Sequence, residues 1–272
     1  MTEDVWRDGQ VTAGGTVMYA SLTARRLVSN VGVLTVAAPD FPVAQVFPGV
    51  MVRRLDAPQT TQFENIYTPQ GRIQYVRPAP VVLTEAALDE WLWRSRIIHL
   101  APVCDEVSAS IAFAAPAQTF IGLTPQGWLR QWDEAGRVSP KAWAHAEALL
   151  ARADAVVISI DDVAGDWRTL LRWAAQARLF VVTQSAEGCT LFLNGRPYTV
   201  PAPRVAEVDP TGAGDIFAAA LFVALERGHD PVRACAFANC IAAQSVTRVS
   251  LQGLPTPQEV ERCSKIVLEN SM

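Results

Sequence analysis

Lysine is nearly absent from this chain. Lys141 and Lys265 are the only two in 272 residues, and arginine supplies the rest of the 23 basic side chains. The five cysteines, Cys104, Cys189, Cys235, Cys240 and Cys263, are scattered and form no C-x-x-C pair. That excludes a zinc-ribbon pattern and argues against a disulfide framework, so small core residues in a reducing compartment are expected. His99, His145 and His229 show no metal-ligand spacing. No apolar run reaches the 18 or so residues of a membrane span. The opening stretch MTEDVWRDGQ is polar and acidic and does not resemble a signal peptide, so a cytoplasmic protein is expected. With 18% charged residues and a net charge of -4 there is no broad basic field for nucleic acid. Half of the residues are hydrophobic, which excludes a disordered chain and predicts one sizeable core.

Short β-rich runs alternate with helical ones, the rhythm of an α/β layered fold with a mainly parallel sheet. Strands are predicted at 31–37, 97–101, 119–123, 155–160 and 179–183, each rich in Val, Ile or Leu, as when both sheet faces are covered. Ser139-Pro140, Thr84 and Asp230-Pro231 read as helix starts, and Thr256-Pro257-Gln258-Glu259 as a capping box. The run from about 214 to 227 is apolar nearly all round, which predicts a buried helix, and it stops at Gly228. Residues 50–77 break the rhythm: Phe63, Ile66, Tyr67, Ile73, Tyr75 and Val76 flank Pro69-Gln70-Gly71, a hairpin signal. This segment reads as a small β lid on a single domain spanning 1–272, or as an antiparallel edge of the main sheet.

The strongest chemical signal is Val208-Asp209-Pro210-Thr211-Gly212-Ala213-Gly214-Asp215-Ile216-Phe217. Small residues admit a ligand close to the backbone, and the first amides of the following helix have no internal partners. With the helix dipole they make an anion site. Asp215 in its first turn would stand as a base beside that anion, which suits phosphoryl transfer to a hydroxyl. A Walker A loop is excluded because no lysine lies near, and the Rossmann spacing fails because it lands on Phe217.

The string D-x-T-G-A-G-D-x-F resembles the signature of the ribokinase-like (PfkB-type) carbohydrate kinases, and the likeness extends through most of the chain in the right order. The resemblance implies a three-layer α/β/α fold and ATP-dependent phosphorylation with Mg2+. It implies Asp215 as general base and an anion hole from the Gly212, Ala213 and Gly214 amides. Asp4, Gly14 and Gly15 would face the acceptor, with Tyr19 nearby; residues 60–77 would form the lid. Thr183, Gly188, Thr211 and Asn239 would border the nucleotide. Asp162 would act through Mg2+ and its waters, and Asp209 with Thr211 would surround a monovalent cation such as K+ where one is used. Lids of this kind pair between subunits in the family, which implies a homodimer. The stretch from Val181 to Gly253 most resembles the inositol-kinase-like branch.

Departures from the family are specific. Ser159 and Asp162 replace Asn and Glu, Ser185 stands where glycine is usual, and Tyr19 takes the place of an asparagine. Family members carry an apolar strand before the Asp4 position, whereas here only Met1-Thr2-Glu3 precede it. Three functions stay open: a kinase for a sugar or cyclic polyol such as myo-inositol; a nucleoside kinase with Tyr19 or Phe63 stacking on a base; and a catalytically silent ligand-binding relative. Blander roles are also open, with Asp161 and Asp162 merely capping a helix at 163–176 and Tyr19 lying in the core.

Overall fold

The computed structural model describes residues 1–5, 9–68 and 71–269. Its strands are β1 (Thr2–Val5), β2 (Val11–Gly14), β3 (Gly32–Ala37), β4 (Met51–Asp56), β5 (Thr61–Thr68), β6 (Gly71–Arg77), β7 (Ile97–Leu100), β8 (Phe120–Leu123), β9 (Arg130–Trp132), β10 (Val138–Pro140), β11 (Ala155–Ser159), β12 (Leu179–Thr183), β13 (Cys189–Leu193) and β14 (Arg196–Val200). The α-helices are α1 (Thr16–Leu27), α2 (Val43–Val46), α3 (Glu90–Trp93), α4 (Ser110–Ala114), α5 (Ala146–Arg152), α6 (Trp167–Ala174), α7 (Ala213–Glu226), α8 (Pro231–Ser245) and α9 (Pro257–Cys263).

Six strands form the central sheet in the order β14-β13-β12-β11-β8-β7. β7, β8, β11 and β12 run parallel, and β13 and β14 close one side antiparallel. Because side chains alternate across a strand, Ala155, Val157, Leu179, Val181 and Leu191 enter one apolar cluster with α7 and α8. Val156, Ile158, Phe180, Val182 and Phe192 enter the other, beneath α5 and α6. Burial on both faces explains why these strands read as unbroken apolar runs. The result is the expected three-layer α/β/α fold with a mainly parallel sheet.

The capping signals at Asp230 and Thr256 hold. Asp230 Oδ1 accepts from the amides of Val232 and Arg233, and Thr256 and Glu259 exchange bonds reciprocally. Gly228 ends α7 with a φ of 84°. Other helix expectations need correction. Ser139 and Pro140 lie in β10, where proline's missing N–H is tolerated in a two-stranded edge, and α5 starts only at Ala146. Thr84 makes no side-chain cap; a single turn at 85–87 and the short α3 replace the helix expected there. Ala164 and Gly165, both at positive φ, end the turn after β11, so the next helix is capped by Asp166.

The lid also differs from the expected 50–77. β4 leaves it to pair parallel with β3, and the lid sheet is β2-β1-β5-β6, drawing in residues 2–5 and 11–14. Pro69 and Gln70 of the expected turn lie outside the described residues. A disulfide joins Cys240 to Cys263, linking α8 to α9, which corrects the expectation of free thiols throughout; sequence spacing does not reveal which helices will meet. Cys104, Cys189 and Cys235 are free and buried. Among the described residues no helix is long and apolar enough to cross a membrane. Among the described residues β3 pairs only with β4, and β7 only with β8.

Candidate active site

The start of α7 is built by one glycine and one tyrosine. Gly212 has a φ of 77°, and a β-carbon there would lie 2.3 Å from the Tyr19 ring, so only glycine makes this turn. Tyr19 is 3% exposed and its hydroxyl meets Ser250 Oγ at 3.3 Å. It therefore seats the turn from below and does not line a substrate pocket, a correction to its expected role. Burial raises the phenol pKa; the Ser250 hydrogen bond opposes this, and the charges of Asp209, Asp4 and Asp215 add to it. All three carboxylates thus surround one ring.

Of the expected anion hole, the Ala213 amide is already bonded to Pro210 O at 3.1 Å and drops out. Among the described residues the amides of Gly212 and Gly214 have no hydrogen-bond partner. Gly214 is exposed and faces open space. These amides and the positive helix end remain available to an anion.

Asp215 sits half-buried in the first turn of α7. Burial pushes its carboxyl up to about 7; a Thr16 hydrogen bond opposes the rise, the Asp162 charge adds to it and Arg130 opposes it. This brings together Asp215, the first residue of α1, the turn after β11 and the strand β9. A carboxyl poised near neutrality can accept a proton from an alcohol.

Asp4 stands on β1 in the lid sheet, opposite Thr12 and Phe63. A β-carbon on Gly14 would lie 2.5 Å from Asp4 Oδ2, and Gly15, at a φ of 92°, packs on Thr2. Gly14 and Gly15 lead directly into Thr16, the Asp215 partner. The lid carboxylate and the α7 carboxylate therefore flank the same short backbone segment.

Asp162 lies close enough to Asp215 to influence its charge, but it also holds its own loop. Its Oδ2 accepts from the Ser159 amide at 3.0 Å and its Oδ1 from Gln126 Nε2 at 2.8 Å. Its capping bonds leave it close to Asp215. Asp209 bridges two loops, accepting from the amides of Thr211 at 2.9 Å and Ser250 at 2.7 Å. Burial opposes its ionisation, yet these bonds outweigh that and hold its carboxyl below the usual range.

The residues expected at the nucleotide divide. Thr183 ends β12 and donates to Ile158 O at 3.4 Å. Thr211 is exposed beside the Gly212 turn. Gly188 has a φ of 93°, and a β-carbon would lie 2.3 Å from Val200 O. Asn239 is 4% exposed, and its Nδ2 donates to Val200 O at 2.9 Å and Pro201 O at 3.4 Å. Gly188 and Asn239 thus shape the chain at 200–202, the Asn239 amide nitrogen being held by backbone carbonyls. Ser185, where glycine is usual, has a φ of 50°, the conformation that explains the family preference.

Sequence reasoning missed Thr16, Gln126, Arg130 and Ser250. Arg130 reaches Val103 O at 3.2 Å and lies 5.8 Å over the Phe63 ring of the lid, besides facing Asp215. No motif announces these residues, since each reaches the site through packing of distant elements.

Residues 135–258 match the family described as pfkB family carbohydrate kinase. The chain is 42% identical over 86 residues to ribokinase of Bacillus subtilis, covering 31% of this chain and 29% of that protein. It is 29% identical over 198 residues to fructokinase-2 of Zea mays, covering 65% and 59%. It therefore matches less than two thirds of the length of either relative. Among solved structures it resembles a pyrophosphate-dependent kinase in the ribokinase family complexed with a pyrophosphate analog and myo-inositol, with a TM-score of 0.79 at 22% identity over 96% of both chains. Arabidopsis thaliana ribokinase complexed with ribose and ATP gives 0.76 at 18% identity, covering 97% and 95%. The matched segment carries the Gly212 turn and Asp215, and the chain as a whole has a fold similar to that of the ribokinase-family structures.

Proposed function

We propose that the protein transfers a phosphoryl group to a hydroxyl of a sugar or cyclic polyol, with a myo-inositol-like ring as the favoured acceptor. The observation that carries this reading is Asp215, raised to about 7 in the first turn of α7, beside the unpartnered amides of Gly212 and Gly214. The acceptor oxygen attacks the terminal phosphorus as the bond to the bridging oxygen breaks, and its proton passes to Asp215. The two amides stabilise charge on the transferring group. Asp4, above Gly14, would hold acceptor hydroxyls, and lid closure would keep water from competing.

ATP is the proposed donor, with Thr183, Gly188 and Thr211 bordering it. Among the described residues no group of three or more metal-ligating side chains exists. Asp162, a single carboxylate already bonded within its loop, would act on Mg2+ through water, which suits an ion that keeps its waters and binds phosphate oxygens. When bound, Mg2+ neutralises phosphate charge. A K+ ion at Asp209 and Thr211 would compete with the two amides that Asp209 already accepts from. A cytoplasmic homodimer paired through the lid is part of the proposal.

A second reading takes pyrophosphate as donor. The Asn239 amide nitrogen, already donating to Val200 O, favours it, as does the neighbour complexed with a pyrophosphate analog. A nucleoside acceptor gains nothing from Tyr19 or Phe63, both buried by protein. Phosphorus NMR with sugars, cyclic polyols and nucleosides, each offered ATP or pyrophosphate with Mg2+, tests all three. Phosphorylation of a polyol or sugar is expected. No product with any pair, together with no calorimetric signal for ATP and Mg2+, would establish a silent relative.

A further inference from the structure

Ser250 holds a strained backbone. Its φ is 49°, in the left-handed region where a side chain is crowded and glycine sits freely. Strain of this kind persists only where the surroundings impose it, and it concentrates near functional sites. The Ser250 amide donates to Asp209 Oδ2 at 2.7 Å, a bond that glycine would make equally well. Only the hydroxyl distinguishes serine from glycine here, and it meets the Tyr19 hydroxyl at 3.3 Å. Tyr19 is the ring that a β-carbon on Gly212 would strike. The strained serine is thus one contact away from the turn that opens α7.

The loop that carries Ser250 is braced from within. The Cys240–Cys263 disulfide closes residues 240–263 into a ring. Inside that ring Arg248 pairs with both oxygens of Glu259, each at 3.0 Å. Gly253 lies so close to the end of α8 that a β-carbon there would be 2.5 Å from Ser245 O. The braced loop then grips the segment before α7. Val246 O accepts from the amides of Val208 at 2.7 Å and Asp209 at 3.1 Å. Residues 208–212 are therefore held by the backbone of this loop and by the Tyr19 ring, and Ser250 bonds to both: its amide to Asp209, its hydroxyl to Tyr19.

We propose that Tyr19 and Ser250 are a pair of positioning residues for the phosphoryl donor: joined through their hydroxyls, they fix the Gly212 turn against the 246–250 loop so that the amides of Gly212 and Gly214 converge on one anion. The inference rests on the anion site assigned to that turn under the proposed function. Neither residue touches the reacting atoms. Donors aimed in advance stabilise charge without reorganising, so a turn free to tilt would bind the donor phosphate less tightly. Burial keeps the Tyr19 phenol protonated, so the pair adds no charge beside Asp215.

The test compares the full chain with Ser250→Gly, Tyr19→Phe and the double variant. Glycine accepts a φ of 49° and keeps the amide bond to Asp209, and phenylalanine keeps the ring against Gly212, so each change removes one hydroxyl. Calorimetry with pyrophosphate, and with ATP and Mg2+, is expected to show donor binding about five- to tenfold weaker in each single variant, the worth of one hydrogen bond. The double variant should be no weaker than either, because the two hydroxyls act as a unit. Unfolding temperatures should stay within about 3 °C of the parent, since relief of strain at position 250 offsets the lost bond. With myo-inositol as acceptor, kcat should fall by a similar factor while the acceptor KM and the pH limb near 7 stay in place. Parent-like donor binding in both single variants would overturn the proposal, as would losses that multiply in the double variant or that merely follow a fall in unfolding temperature. A parent that binds a donor yet phosphorylates no acceptor would sink the proposed reaction alone, with the binding ratios still deciding this inference. A parent that binds neither donor would sink both.

Discussion

Gly122 on β8 and Gly32 on β3 both hold a hydrogen where a β-carbon would strike an aromatic ring. At Gly122 the ring is Phe222, 1% exposed, with its edge 2.5 Å from the added carbon. At Gly32 it is Trp91, at 1.9 Å, half-buried on the rim of a cavity of about 1000 Å³ lined by residues 32–36 of β3 and 97–100 of β7. The shorter distance belongs to the ring with more room to move. The two positions show how differently the flanks of this sheet are finished. In the central sheet β8, β11, β12 and β13 each have a strand on both sides and packed layers, while the β3–β4 pair stands off across that cavity. The proposed chemistry lies on the finished side, with the Gly212 turn, Asp215 and Asp162; the lid and Asp4 come from the chain that leaves the unfinished side.

The sharpest break between the two regions is catalytic. Asp215→Asn should lower kcat by about 10²–10⁴-fold, the range for losing a general base, while donor binding measured by calorimetry survives. Trp91→Ala, on the cavity rim, should leave kcat within about twofold. Equal losses from both variants would mean that the cavity and the site are not separable.

Next in size is stability. Gly122→Ala should cost about 1–3 kcal/mol by overpacking, read from denaturant midpoints. Gly32→Ala should cost under about 1 kcal/mol, because Trp91 can swing toward the cavity, although its collision is the closer one. If Gly32→Ala proves the more damaging, the cavity does not give Trp91 that room.

What the sequence showed in advance follows the same division. The five apolar runs became β3, β7, β8, β11 and β12 within a residue or two at each end, and for β8, β11 and β12 burial on both faces writes itself into composition. The Gly212 turn and Asp215 were legible because a left-handed glycine, a helix start and a carboxylate must be adjacent in sequence to work together. Pairing was not legible. Nothing in residues 51–56 says that β4 joins β3 and leaves the lid, and nothing in Cys240 or Cys263 says that α8 meets α9. The parts of the site that arrive by packing, Thr16 and Arg130 above all, carried no local signal. The side chains of Tyr19 and Asn239 turn into the protein, and only three-dimensional contacts decide that direction.

The finest contrast concerns charge around Asp215. Its carboxyl titrates at about 7 in the folded protein because burial penalises the anion, with Asp162 raising it further and Arg130 lowering it. The base must be unprotonated to act, so kcat/KM for the free enzyme should rise with pH through a limb near 7. Removing a neighbouring negative charge makes ionisation easier, so Asp162→Asn should move that limb down. Removing a positive charge makes it harder, so Arg130→Gln should move it up, whatever each variant does to the height of the profile. Stability carries the same sign. A carboxyl whose folded pKa lies above its unfolded value binds its proton more tightly when folded. The folded state therefore loses stability as pH rises from the ordinary carboxylate range toward 7, and Asp215→Asn should flatten that slope. A limb that ignores both substitutions would show that the titrating group lies elsewhere, and a flat stability profile in the parent would show that Asp215 is better hydrated than its surroundings imply.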